Sequence, residues 1–304
     1  MSKLTPIIDE IRIALPNLTL QENEKLSEHC SFRIGGECAA FAEPSSEEEI
    51  RELCRILRSH GEQPILIGNG TNLLITDDFI DRIVLHLGSG FSAVERRGET
   101  GLYAQSGVTL YKLAMTAAEY SLTGLEFAHG IPGTLGGAVS MNAGAYNGEM
   151  VQVVRSVRYL SGNLELKETE ELQFAYRHSR FSDTDDIILG ASMELQKGDE
   201  AAIREQMKTL MDKRRASQPL DMPSAGSTFK RPVGGYAAAL IDQAGLKGFS
   251  VGGAQVSEKH AGFVVNRGGA SCEDVLRLMD TIRERVYASS GIELEAEVKI
   301  VRGK

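Results

Sequence analysis

The sequence lacks the signatures of several large protein classes. It has only four cysteines, Cys30, Cys38, Cys54 and Cys272, and none of them forms a CxxC pair or a zinc-ligand spacing. That argues against a disulfide scaffold and against a metal site, and the thiols read as reduced cysteines of a cytosol. A cationic excess is missing too: 33 Lys and Arg face 42 Asp and Glu, a net charge of −9. Nucleic-acid binding calls for the opposite balance. No run approaches the ~18 consecutive apolar residues of a membrane span. The N-terminus has no signal-peptide core, because Asp9, Glu10 and Arg12 interrupt its apolar residues. The expectation is a cytoplasmic protein without a membrane span or a nucleic-acid partner; the sequence does not fix the oligomeric state, and a monomer is favoured.

Familiar catalytic motifs are also absent. Without GxxxxGK[ST] a P-loop ATPase is disfavoured, and without a strand-borne GxGxxG so is a Rossmann dinucleotide fold. The lack of HExxH and GxSxG weakens zinc-hydrolase and α/β-hydrolase readings.

What is present is glycine, 32 in 304 residues. Apolar residues make up 42 % and charged residues 25 %, an ordinary globular balance, and the length predicts two or three domains. Helical spacing of Ile7, Ile8, Ile11 and Leu15 predicts a helix ending before Pro16. Ser45 and Glu48 read as a capping box for a helix with Ile50, Leu53, Cys54 and Leu57 on one face, stopped by Gly61. Strands are predicted at 64–67, 83–87, 151–160 and 187–195, and Thr109 caps a helix carrying Leu110, Leu113, Ala114 and Ala117. Ile203, Met207 and Leu210 make a helix stripe that Arg214 continues. Ser271 caps the longest apolar face, from Val275 to Val286, which Gly291 ends. At the C-terminus Ile292, Leu294, Ala296, Val298 and Ile300 alternate with Glu293, Glu295, Glu297 and Lys299, as in a strand. The class is α+β.

Two glycine loops carry the functional argument. Gly68-Asn69-Gly70-Thr71-Asn72-Leu73 follows the strand at 64–67. Its glycines permit positive φ and close approach to a ligand, and successive N–H groups in such a turn form an anion nest. The same string also reads as an ordinary tight turn. The second loop, His129 to Ala138, contains Gly130, Gly133, Thr134, Gly136 and Gly137 and suits either a pyrophosphate or a packing crossover. In an acidic protein an anionic substrate needs a local cationic pocket. Lys213-Arg214-Arg215 and Lys230-Arg231 are the candidates, and each reads equally as a solvated surface.

These segments, taken in order, resemble the UDP-N-acetylenolpyruvoylglucosamine reductase family. The strings are Ser31-Phe32-Arg33-Ile34-Gly35-Gly36, Gly68–Leu74, Gly124–Asn147, Tyr176-Arg177-His178-Ser179-Arg180-Phe181, Pro223–Pro232, Gly252–Ser257 and Leu294–Val298. The resemblance runs from about residue 30 to 301, and its lengths match the shorter, type II subclass. It implies an FAD-binding fold of the vanillyl-alcohol-oxidase (PCMH) type in two α+β subdomains, 1–80 and 81–200, followed by a C-terminal α+β substrate domain, 201–304. It also implies NADPH-dependent, FAD-mediated reduction of UDP-N-acetyl-3-O-(1-carboxyvinyl)-glucosamine to UDP-N-acetylmuramate, with the FAD held non-covalently.

Residue by residue, the resemblance implies that Ser227 is the proton donor, Arg177 the cation on the substrate carboxylate and Glu297 the acidic member of the site. Lys230, three residues beyond Ser227, is expected to polarise the hydroxyl. The implied cofactor contacts are Arg33, Gly35, Gly68, Asn69, Gly70, Thr71, Asn72, Leu73, Gly133, Thr134, Gly136, Gly137, Ala138 and Asn142. Tyr146, Arg214, Lys230 and His260 are expected to bind the sugar nucleotide. Arg231 departs from an asparagine that other members carry, though a cation there suits a diphosphate. Two rivals remain: a flavin-dependent sugar or hydroxyacid oxidase of the same superfamily, and a non-catalytic sugar-nucleotide sensor. Nothing marks His29 or His129 as the covalent flavin link an oxidase often has.

Overall fold

The computed structural model of the chain describes residues 3–303, with helices and strands interspersed. These form two compact units, each assembled from separate stretches. The first takes the residues up to Gln21, then Ala40–Asn69 and Arg82–Arg214; the second takes Glu22–Ala39, Gly70–Asp81 and the residues from Arg215 on. Among the described residues no helix is long and apolar enough to cross a membrane.

The centre of the first unit is a five-stranded antiparallel sheet in the order Leu166–Thr169, Val154–Leu160, Ile187–Glu194, Gly101–Gln105, Val94–Arg97. Its middle strand, Ile187–Glu194, is buried over nearly its whole length, which is why it reads as an uninterrupted apolar run. Helix Leu110–Glu119 starts where the Thr109 hydroxyl accepts the Lys112 N–H at 3.2 Å. It turns Leu110, Leu113, Ala114, Ala117 and Ala118 inward. Those side chains share a core with Leu102, Val108, Leu135, Val139 and Met193. Helix Thr5–Ala14 packs on helix Glu47–Ser59 through Ile7, Ile8 and Ile11.

The cap of Glu47–Ser59 corrects the sequence reading by one residue. Ser46, not Ser45, accepts the Glu49 N–H, at 3.1 Å, while the Glu49 carboxylate accepts from the Ser45 N–H and hydroxyl. Two serines in a row offer two registers, and the structure uses the later one. Strand Ile65–Ile67 then pairs in parallel with Ile80–His86, Ile65 beside Val84, and delivers the chain to the first glycine turn.

The second unit holds an antiparallel sheet in the order Ser224–Ser227, Phe263–Asn266, Ala254–Val256, Ser250–Val251. Helix Cys272–Ser290 packs on its last two strands. A full capping box, Ser271 with Asp274, starts that helix, and Gly291 at φ +69° ends it. Asp274 also accepts the Gly253 N–H at 3.2 Å. The backbone donors at Ser271 and Gly253 hold its carboxyl below the ordinary carboxylate range.

Residues 292–298 correct the expected C-terminal strand. Only Lys299–Val301 is a strand, parallel to Leu73–Ile75. Ahead of it lies one isolated bridge, Ala296 with Phe229. Alternation fails physically as well: Leu294 and Val298 are buried, but Ile300 is exposed. Strand Thr19–Lys25 leaves no trace in the sequence pattern, because Thr-Leu-Gln-Glu-Asn-Glu-Lys has no apolar alternation to reveal it.

Candidate functional site

In the first unit the two glycine loops meet. Asn69 Nδ2 donates to the Pro132 carbonyl at 3.0 Å. A Cβ at Gly68 would lie 2.3 Å from Thr134 Oγ1, so only glycine permits this approach. The stretch Gly133–Gly136 lies along Ser106–Leu110: Leu110 N–H donates to Gly133 O at 3.0 Å, Leu135 N–H to Val108 O at 2.9 Å, and Gly136 N–H to Ser106 O at 2.8 Å. Beneath Gly136 the Ser106 hydroxyl is buried without a hydrogen-bond partner. A cradle closed to side chains with an orphaned hydroxyl in its floor fits a flat dinucleotide whose polar atoms complete the bonding.

The implied contacts in this unit do not all present themselves in the same way. Gly137 is exposed and a Cβ there meets nothing nearer than Thr134 Oγ1 at 3.9 Å, so its space is open. Ala138 is turned into the core. Asn142 is buried, and its amide is fully engaged by the protein. Nδ2 donates to Glu149 Oε2 and to Ala175 O, each at 3.1 Å, and Oδ1 accepts the Val151 N–H at 3.0 Å.

Arg177 sits at the tip of a two-residue hairpin. Ala175 and His178 exchange both backbone bonds, at 3.0 and 3.2 Å. Arg177 is half-buried with φ +54°, and its guanidinium lies 5.4 Å from the centre of the Tyr176 ring. Tyr146 also has a positive φ, +53°, and is exposed.

Arg214 comes from helix Glu200–Ser217, and a Cβ at Gly130 would lie 3.3 Å from its Cδ. Its Nε is buried without a partner. Burial pushes its pKa down, with Tyr146 acting in the opposite sense. His129 is alike: Nδ1 is buried and unpartnered, the ring lies 4.9 Å from that of Tyr111, and burial lowers its pKa. A desolvated guanidinium nitrogen lacking an acceptor is suited to an anion.

The second unit gathers the other half of the implied residues. Ser31 N–H donates to Gly70 O at 3.2 Å, its hydroxyl to Ser224 O at 2.6 Å, and Ser224 N–H returns to Ser31 O at 3.1 Å. Gly70 has φ +58°, and a Cβ there would lie 2.3 Å from the His29 carbonyl oxygen. Arg33 is exposed with φ +55°. Gly35 lies against Ile75, where a Cβ would come within 3.1 Å of the Ile75 Cβ. Thr71 is half-buried, and Leu73 opens the strand that pairs with Lys299.

Asn72 then fixes Glu297. Its Nδ2 donates to Glu297 O at 3.1 Å and its carbonyl accepts the Lys299 N–H at 2.9 Å. Glu297 N–H donates to Thr228 O at 2.9 Å, setting Glu297 beside the residue that follows Ser227. Those bonds break the expected alternation and leave Glu297 half-buried, whereas Glu293 and Glu295 are exposed. Gly226, at φ +74°, lies in a register break that ends at Ser227, the kind of irregularity that re-aims a side chain.

Three further residues have partners within the protein. Lys230 was expected to polarise Ser227, but its ammonium bonds to the Glu295 carboxylate and its N–H donates to Glu295 O at 2.8 Å. His260 closes a turn: Nδ1 accepts the Gly262 N–H at 3.2 Å and the ring stands edge-on to Phe263. Arg231 is exposed and lies 4.0 Å over the Tyr236 ring. Ser31 and Ser106 are the residues that sequence reasoning missed as supports of the two loops. A lone serine beside glycine carries no periodic signal, although Ser31 lies within a string that the resemblance already marked.

The chain matches known proteins over nearly its whole length. A family model described as UDP-N-acetylenolpyruvoylglucosamine reductase, C-terminal domain, matches residues 218–301, and one described as FAD binding domain matches residues 38–170. The UDP-N-acetylenolpyruvoylglucosamine reductase of Heliobacterium modesticaldum is 46 % identical over 92 % of this chain and 90 % of its own. That of Caldanaerobacter subterraneus is 43 % identical over 98 % and 99 %. The crystal structure of the Thermus caldophilus reductase superposes with a TM-score of 0.79 at 31 % identity, covering 94 % of this chain and 99 % of that one.

Proposed function

Since the chain belongs to the UDP-N-acetylenolpyruvoylglucosamine reductase family, and is thus an FAD-dependent oxidoreductase with an α+β FAD-binding fold, we propose that it reduces UDP-N-acetyl-3-O-(1-carboxyvinyl)-glucosamine to UDP-N-acetylmuramate with NADPH. The product is a peptidoglycan precursor. Bound FAD supplies the hydride relay from NADPH to the sugar nucleotide. Flavin contacts are assigned to 1–80 and 81–200, and substrate contacts mainly to 201–304.

The observation that carries the reading is the clasp of Glu297 onto Thr228, 2.9 Å from N–H to carbonyl. The bond joins the acidic residue's backbone to Thr228, which follows Ser227, and Asn72 holds it from the other side. In the proposed reaction a hydride adds to the terminal vinyl carbon, which becomes a methyl group. The displaced electron pair moves to the carbon bearing the carboxylate and spreads into that carboxylate. Arg177 holds the carboxylate with its planar fork and stabilises the added charge. Ser227 delivers its hydroxyl proton to the carbon α to the carboxylate, and solvent restores it. Arg214 and Tyr146 take the diphosphate, for which a desolvated guanidinium with no carboxylate partner among the described residues is suited.

Ser227→Ala tests this reading in a stopped-flow spectrophotometer. Under anaerobic conditions NADPH bleaches the flavin at the wild-type rate, and the enolpyruvyl sugar nucleotide then fails to restore the colour. Wild-type recolouring by that substrate would remove Ser227 from the role. Peroxide release without the acceptor would favour an oxidase.

A further inference from the structure

The Arg177 hairpin has little to hold it in itself. Ala175 and His178 share two backbone bonds, and a third, from Arg180 N–H to Leu172 O at 3.0 Å, joins its flanks; a hairpin that small is not stable alone. Arg177 also adopts the left-handed region, φ +54°, which a residue with a Cβ avoids unless its surroundings impose it. The restraint therefore comes from outside the hairpin.

Leu172, Phe174 and Phe181 pack its flanks into the core, and its polar restraint comes from the C-terminal end of helix Leu135–Ser140. The last carbonyls of a helix have no partner within it. Here the Ser140 carbonyl accepts two side-chain hydroxyls, Ser179 Oγ and Ser182 Oγ, each at 2.7 Å. Ser179 is completely buried. Its N–H donates to Ser182 Oγ at 2.9 Å, and its own Oγ accepts the Phe181 N–H at 3.3 Å. Two residues past the helix, Asn142 adds its bond to Ala175 O. The other end of the same helix is Thr134 to Gly137, the glycine turn. Six residues span about 9 Å, so one rigid turn and a half of helix joins the cofactor loop to the arginine hairpin.

We infer that Ser179 is a positioning residue, which fixes the guanidinium of Arg177 for the substrate carboxylate by docking its hairpin onto the end of helix Leu135–Ser140. This rests on the reading of Arg177 given above. Ser182 is the second tether of the same dock. Neither serine touches substrate in this scheme; each acts through Arg177.

The test is a double-mutant cycle on the flavin-loaded enzyme, with Ser179→Ala, Arg177→Ala and the pair combined. Ser179→Ala retains FAD and its reduction by NADPH, and reoxidation by the enolpyruvyl sugar nucleotide slows roughly ten- to a hundredfold, the penalty of a misplaced clamp. In the Arg177→Ala background the same change produces no further slowing, because nothing remains to position. Hydrogen exchange of the flavin-free protein rises over residues 172–182 and stays unchanged over 110–119. Wild-type reoxidation in Ser179→Ala overturns the inference. So does an equal loss with and without Arg177, which marks a merely structural serine. Should Arg177→Ala itself reoxidise normally, the clamp reading is what fails. If Ser179→Ala does not fold, Ser182→Ala removes the other tether and is read against the same outcomes.

Discussion

Gly68→Ala isolates the contact between the two glycine loops. The methyl carbon would sit 2.3 Å from Thr134 Oγ1 and 3.4 Å from both Thr134 Cβ and Cγ2. The first distance falls short of ordinary contact by about 1 Å. Gly68 has no positive φ, so alanine brings no backbone strain, and the whole effect comes from the clash. Thr134 cannot easily retreat, because it is 3 % exposed and β-branched. Overpacking of this kind costs about 1–3 kcal/mol. Where the strain is relieved by displacing the turn, FAD affinity falls about tenfold for every 1.4 kcal/mol. Thr134→Ala removes Oγ1 and Cγ2, the atoms in the way, without losing a side-chain cap bond to the helix it precedes; because Thr134 is itself an implied cofactor contact, its own effect on FAD affinity is read in the single variant. In the Thr134→Ala background Gly68→Ala is thus expected to cost little further affinity, a coupling that independent sites do not show. The assay is titration of the flavin-free protein with FAD, followed by quenching of flavin fluorescence, with thermal melting in parallel. Unchanged FAD affinity and melting temperature in Gly68→Ala, or simple additivity in the pair, would refute the argument.

Removal of the desolvated Arg214 guanidinium by Arg214→Leu is expected to leave stability unchanged or slightly raised, because no carboxylate among the described residues is abandoned. The same change raises the substrate KM at least tenfold; thermal melting and steady-state kinetics read the two effects. Acidity is expected to destabilise the fold through His129 and His260, whose pKa values burial pushes below 6.5. Below that pH the unfolded chain binds protons that the folded chain refuses, so stability is full above about pH 6.5 and falls as the pH drops towards the folded-state values. Melting temperatures between pH 8 and 5 measure the slope, and His260→Gln flattens it; an unchanged slope would exclude His260 as a contributor. Arg177→Lys keeps the charge but loses the planar fork, and reoxidation of reduced flavin by substrate is expected to slow by more than tenfold while NADPH oxidation is unaffected.

Helices were legible wherever apolar spacing and a cap coincided. Thr109 and Ser271 start helices where they were expected, and Gly291 ends one. The glycine loops were legible as places of special backbone, though not as neighbours, because that Gly68 abuts Thr134 is a long-range fact that no local pattern encodes. The C-terminal alternation misled for a physical reason. Residues 292–298 spend their backbone donors on Thr228 and an isolated bridge rather than on a ladder, and side-chain periodicity does not reveal where a backbone bonds. Arg33, Asn142, Tyr146 and Arg177 share a feature hidden in the same way: each has a side chain and a positive φ. Sequence reasoning gives such residues ordinary backbones, since only glycine announces the left-handed region. All four were nonetheless among the residues implied by the family resemblance. Strain of this kind persists only where surrounding contacts impose it. For Asn142 and the Arg177 hairpin those contacts are on view, and they converge on the end of one short helix. The Arg177 hairpin is therefore tied down in part by polar side chains that carry no periodic signal.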